Sequence, residues 1–188
     1  RDNNLDYKPE NIVTSTGAKQ SLANAILALV DDGDEVIIPT PYWVTYSELV
    51  KIARGKVVEI KSTLEDGFKV SPAQIEAAIT PRTKAIMLVH IYGLPVDADP
   101  ILEIAKERGI KVIEDAAETI GLDYKNRPCG SLGDVSTFSF YPNKHITTGE
   151  GGMVLTDDDQ IAERCLGSRN LCFNKSRRFR HNRIGWNF

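Results

Sequence analysis

The chain has 188 residues, with 23 Lys plus Arg against 26 Asp plus Glu and a formal charge of −3, a near-balance that argues against a main role in binding nucleic acid or an anionic membrane. Hydrophobic residues make up 41%, enough for a real core in one domain, and no run of about 18 apolar residues is available to cross a bilayer. Arg1-Asp2-Asn3-Asn4 holds no apolar signal core, and Cys129, Cys165 and Cys172 give neither a disulfide framework nor a zinc pattern, so a reduced, cytoplasmic protein without a metal is expected.

Short β-branched runs alternate with longer helical ones. Ile12-Val13 begins a strand that leads into Gly17-Ala18-Lys19-Gln20, and Ser21 to Leu29 has helical spacing of apolar residues. Glu35 to Pro39 reads as a buried strand, Tyr42 to Ala53 as a helix and Lys56 to Ile60 as a strand. Ser71 is placed to cap a helix running to Ala78. Ala85 to Val89 is apolar throughout. Ile101 to Arg108 forms a helix that Gly109 closes in the left-handed conformation. Lys111 to Asp115, Val135 to Phe140 and Met153 to Thr156 complete the strands. Strands that are apolar throughout are covered on both faces, and with helices between them they form a largely parallel sheet. Ligands of such sheets sit beyond the carboxyl ends of the strands. Chemically loaded residues fall there: Gly17-Ala18-Lys19, Asp115, and Ser139 through Lys144.

Lys144 lies in a loop of aromatics, Pro and Gly, where partial desolvation would favour the neutral amine that forms Schiff bases; the alternative is a solvated surface lysine. Asp115 can hold a pyridine nitrogen protonated, or simply cap a helix. The Gly17-Ala18-Lys19 turn, with Ser139, offers a phosphate cradle at a helix N-terminus, or is an ordinary strand-to-helix connection. Trp43 can stack on a flat cofactor ring or belong to the core. His90 is the other candidate for that face, unless it is a satisfied buried histidine. The stretch Arg164 to Arg183 is basic (Arg164, Arg169, Lys175, Arg177, Arg178, Arg180, Arg183) and either receives a phosphate-bearing substrate or is a solvated loop.

Taken together, these residues resemble a pyridoxal-phosphate enzyme of fold type I. Lys84-Ala85-Ile86, His90-Ile91-Tyr92-Gly93, Ile113 to Glu118, Gly130-Ser131-Leu132-Gly133-Asp134, Phe138 to Lys144, Thr147 to Gly152 and Arg169 to Phe173 resemble the sugar aminotransferases of the DegT/DnrJ/EryC1/StrS family. The resemblance implies a three-layer αβα large domain with a mostly parallel mixed sheet. It implies pyridoxal 5'-phosphate as cofactor, Lys144 as its Schiff-base lysine, Asp115 as partner of the ring nitrogen, Ser139 as a phosphate ligand and Glu118 near the ring hydroxyl. Asn187 would reach the phosphate of the neighbouring subunit in a homodimer. The implied reaction moves an amino group from glutamate to a nucleotide-linked 4-keto-6-deoxy sugar. The family's dehydratase branch has His where Lys144 stands, which favours transfer.

Residues 1–80 instead resemble aspartate aminotransferases, in Gly17-Ala18-Lys19-Gln20, Pro39 to Tyr46 and Glu65-Asp66-Gly67-Phe68. In that relative Gly17, Ala18 and Lys19 hold the phosphate and Trp43 stacks on the ring. A junction between two family-like halves is therefore expected near 79–84. The resemblance also leads one to expect a single large domain over 1–188 without the small C-terminal domain. The alternatives to sugar transamination are aspartate-type transamination of a keto acid and a cofactor domain with little turnover.

Overall fold

The computed structural model describes residues 7–173, 176–177 and 179–185. In chain order its elements are β1 (Ile12–Ser15), α1 (Ala18–Leu29), β2 (Glu35–Pro39), α2 (Thr45–Ile52), β3 (Lys56–Ile60), α3 (Pro72–Ala78), β4 (Thr83–Val89), α4 (Asp99–Arg108) and β5 (Lys111–Asp115). A small hairpin follows, β6 (Asp123–Tyr124) and β7 (Arg127–Pro128), then β8 (Val135–Ser139), β9 (Gly152–Leu155) and α5 (Asp159–Arg169). Seven strands form one sheet in the order β1-β9-β8-β5-β4-β2-β3. Only β9 runs against the rest, pairing antiparallel with both neighbours. The carboxyl ends of the other six therefore share one edge.

The apolar runs are strands because both faces are covered. Val36, Ile38, Ala85, Met87 and Ile113 pack under α1, α2 and α5, whereas Ile37, Ile86, Leu88 and Val112 pack under α3 and α4. This is the three-layer αβα arrangement, with alternate residues of each strand feeding opposite layers. Local signals set several ends. Ser71 and Gln74 form a reciprocal capping box at α3, and Gly109 ends α4 at φ 66°.

Two helix starts differ from the sequence reading. α1 begins at Ala18, because the Gln20 side chain accepts from the Thr16 N–H at 2.8 Å and draws the turn into the helix. α2 begins at Thr45 instead of Tyr42, because Tyr42 is held away by its hydroxyl, which donates to Glu59 on β3 at 2.5 Å. Residues 40–44 thus cross the strand ends as a turn.

Glu114 is fully buried and anchors the connection into β8. Its carboxylate accepts from the Gly130, Leu132 and Gly133 N–H groups at 2.5, 2.8 and 2.9 Å and from His90 Nε2 at 2.8 Å. Burial works to raise this carboxyl, but the bonds from His90 and the three amides outweigh it and hold it below its ordinary value of 4.5. A group depressed in the folded state stabilises above its unfolded value and loses that contribution as pH falls through the folded one. Glu114→Gln turns an NH2 toward donors whichever way the amide lies. It is expected to cost about 3 kcal/mol and to flatten the stability profile below pH 4.5, as checked by urea unfolding across that range.

Candidate active site at the carboxyl edge of the sheet

A cavity of 790 Å³ opens at the shared carboxyl edge, a size that suits a small cofactor. Its sides are supplied by residues at or just after the carboxyl ends of strands. β1 gives Gly17, Ala18 and Lys19, the end of β8 gives Ser139, the end of β5 gives Asp115, and the turn after β2 gives Trp43. Glu118 and Lys144 border the same space.

Lys144 is mostly covered, with its side chain 18% exposed, and its Nζ donates to Glu118 Oε1 at 2.9 Å. Glu118 also accepts from the Tyr92 N–H at 2.7 Å. Burial tends to raise the Glu118 carboxyl; the Lys144 and Tyr92 bonds prevail and hold it below the usual range. Asp115 is 5% exposed. Its Oδ1 accepts from the Ala117 N–H at 3.0 Å and its Oδ2 from the Tyr46 hydroxyl at 2.6 Å. Burial raises this carboxyl, and the Tyr46 and Ala117 bonds and the Lys144 charge only partly oppose it.

The adjacent carboxylates Glu114 and Asp115 do different work because strand side chains alternate. Asp115 shares a face with Ile113 and looks toward α2, while Glu114 looks to the other layer. The two aromatic candidates also differ in exposure. Trp43 is 43% exposed at the cavity, with Lys19 Nζ 4.9 Å from its ring centre and Tyr46 edge-on at 5.7 Å. His90 borders the cavity but is 1% exposed, and both ring nitrogens are committed: Nε2 to Glu114, and Nδ1 as acceptor of the Val96 N–H at 3.1 Å. Both nitrogens of His90 are thus satisfied within the fold, while its ring still lines the cavity. In-register pairing of Leu88 with Glu114 carries the explanation, since His90 follows Leu88 by two and shares its side.

Tyr46 is the site residue that reading the sequence missed. Its spacing of three from Trp43, one helical turn, was the available signal.

The phosphate-cradle candidates come together around a glycine. Gly17 precedes α1 with no side-chain cap, so the first N–H groups of α1 face outward. Gly152 packs directly against this turn: a Cβ there would lie 2.5 Å from the Gly17 carbonyl carbon and 2.6 Å from the Ala18 nitrogen. Ser139 pairs in register with Gly152, which brings its hydroxyl to the same corner.

Asn187, Lys175 and Arg178 lie outside the described residues. Of the other basic residues, Arg164 donates to the Ala28 carbonyl at 2.6 Å and Arg169 to the Thr14 carbonyl at 3.0 Å, so both tie α5 to the rest of the fold. The three cysteines are buried and unpaired. Burial pushes the Cys165 thiol up to about 12 and the Cys129 thiol up to about 11, which disfavours the thiolate of both at neutral pH. Among the described residues, no helix is long and apolar enough to cross a membrane.

The sequence profile of the DegT/DnrJ/EryC1/StrS aminotransferase family matches residues 8–188. The chain belongs to this family. GDP-perosamine synthase from Escherichia coli O157:H7 is 43% identical over 176 residues, covering 93% of this chain and 48% of that protein. The structure of DesV from S. venezuelae superposes with a TM-score of 0.82 at 35% identity, over 94% of this chain and 47% of that one. NtdA from Bacillus subtilis, solved with bound cofactor PMP, gives 0.82 at 30% identity, over 93% of this chain and 40% of that one. The chain thus spans about half the length of the relatives it matches.

The family match runs unbroken through 79–84, which corrects the expected junction there. β4, which begins within this stretch at Thr83, is hydrogen-bonded to β2 before it and β5 beyond it, so no structural boundary falls at that point. Residues 8–80 fall within the same family match as the rest.

Proposed function

We propose that this chain is the cofactor-binding part of a pyridoxal-phosphate-dependent aminotransferase that moves an amino group from glutamate to a nucleotide-linked 4-keto-6-deoxy sugar. The observation that carries this reading is that a nearly covered lysine and a buried aspartate, Lys144 and Asp115, face one cavity large enough for a flat ring. The residues present fit the group. The open N–H groups after Gly17 and the Ser139 hydroxyl suit the phosphate, and Trp43 suits the ring face. Glu118 suits the ring hydroxyl, and Asp115 suits a protonated ring nitrogen.

When bound, pyridoxal phosphate supplies an electron sink for the pair left on the donor's Cα when its proton departs. Lys144, as a free amine, would take that proton from Cα and carry it on Nζ for its return. Glu118 orients the Lys144 amine through their 2.9 Å bond. Asp115 would hold a proton on the ring nitrogen. Exposed apolar groups lining the cavity, among them Ile91, Tyr92 and Tyr141, suit coverage by a second copy in a homodimer.

Pyridoxal phosphate added to the purified protein should give a yellow absorbance band that glutamate discharges; a colourless mixture overturns the reading. Activity on oxaloacetate in place of nucleotide sugars would redirect the acceptor to a keto acid. Gly152→Ala is a sharper local test. Its methyl must displace the Gly17–Ala18 turn, so cofactor affinity is expected to fall about tenfold or more. Spectral titration of the variant checks this.

A further inference from the structure

Resting on the reading above, we propose that Tyr46 is a positioning residue for the reaction: by donating its hydroxyl to Asp115 it keeps the shared proton on the cofactor's ring nitrogen and off the aspartate. The geometry is specific. The Tyr46 hydroxyl lies 2.6 Å from Asp115 Oδ2. Tyr46 is 4% exposed, and its ring is fixed edge-on against Trp43 at an interplanar angle of 89°. One side chain therefore braces the aromatic ring at the cavity and the carboxylate at its floor. The remaining Asp115 oxygen already accepts the Ala117 N–H.

Asp115 and a pyridine nitrogen compete for one proton. A buried carboxylate is a strong competitor, because desolvation makes it more basic. Hydrogen bonds donated to the carboxylate weaken its basicity and leave the proton on the ring, where it is needed to draw electrons from Cα. The groups that act on Asp115 are Tyr46, the Ala117 amide, Lys144 and Glu118. Lys144 draws it toward the ionised form and Glu118 toward the neutral one. Tyr46 is a dependable donor, since burial and then the Asp115 charge push its phenol well above the usual tyrosine range.

Two measurements test this on the full chain. In the first, the Asp115 carboxyl is followed by 13C NMR against pH without cofactor. It should titrate at higher pH in Tyr46→Phe than in the wild type. It should titrate at lower pH when residue 46 is 3-fluorotyrosine, whose more acidic phenol is a stronger donor. An unchanged Asp115 titration in either folded variant overturns the proposal. This measurement needs no catalysis, so a chain that binds no cofactor would defeat the function proposed above and leave this result standing on its own. In the second, 15N-labelled pyridoxal phosphate is bound to wild type and Tyr46→Phe. The ring nitrogen signal should move toward the unprotonated position in the variant, and turnover should fall about tenfold with little change in the donor's KM. A ring nitrogen equally protonated in both proteins also overturns it, because a merely structural tyrosine would leave that signal where it was.

Discussion

Replacing Lys144 with alanine is expected to lower aminotransfer at least about 1,000-fold and to abolish the borohydride-trapped attachment of the cofactor to the chain. The side chain holds two successive roles in the proposed reaction. Its amine would be the point of covalent attachment and, once the donor's amine had displaced it, would be the base beside the donor's Cα. Glu118 stays in place to receive a cation, so Lys144→Arg is the informative companion. The arginine restores the charge opposite Glu118 but offers no primary amine, and should be as inactive as alanine. Mass spectrometry of borohydride-treated protein decides the matter. A retained adduct in Lys144→Ala would shift the attachment to another amine, and Lys19 is the one that also borders the cavity.

Asp115→Asn is the second large effect, and it separates function from stability. Turnover should fall about 100- to 1,000-fold while the cofactor still binds, because the amide cannot hold a proton on the ring nitrogen against its own neutrality. Stability should move the other way. Burial raises the folded-state value of this carboxyl above its ordinary 3.8. A carboxyl raised in the folded state binds its proton more tightly there, so stability falls as pH rises from the ordinary value through the folded one. The asparagine variant, which has no proton to lose, should lack that decline and be the more stable protein at neutral pH in the absence of cofactor. Melting temperatures of both proteins from pH 4 upward check this; a less stable variant at neutral pH would mean that the 2.6 Å bond from Tyr46 more than offsets desolvation. Glu114, one residue away, should show the opposite pH trend, since its amide partners overcome its burial.

Much of the fold was legible from local pattern. Continuous apolar runs announced strands covered on both sides, Ser71 and Gly109 marked helix ends through their own backbone chemistry, and the strand-end rule gathered Gly17, Asp115, Ser139 and Lys144 near one edge. Those signals are short-range, and each depends only on a residue and its few neighbours in the chain. His90, Glu114 and Tyr46 were different. Which face His90 takes depends on how β4 aligns with β5, a pairing of residues about 25 apart. The Tyr46–Asp115 bond joins residues 69 apart, and Gly152 is fixed by its contact with a turn at the far end of the chain. Alternation along a strand gives two possible faces, and only the register of the assembled sheet chooses between them. The sequence by itself determined which residues could do chemistry and near which edge they would collect; the tertiary structure decided which of two neighbouring carboxylates meets the cavity, because burial and hydrogen bonding act through space.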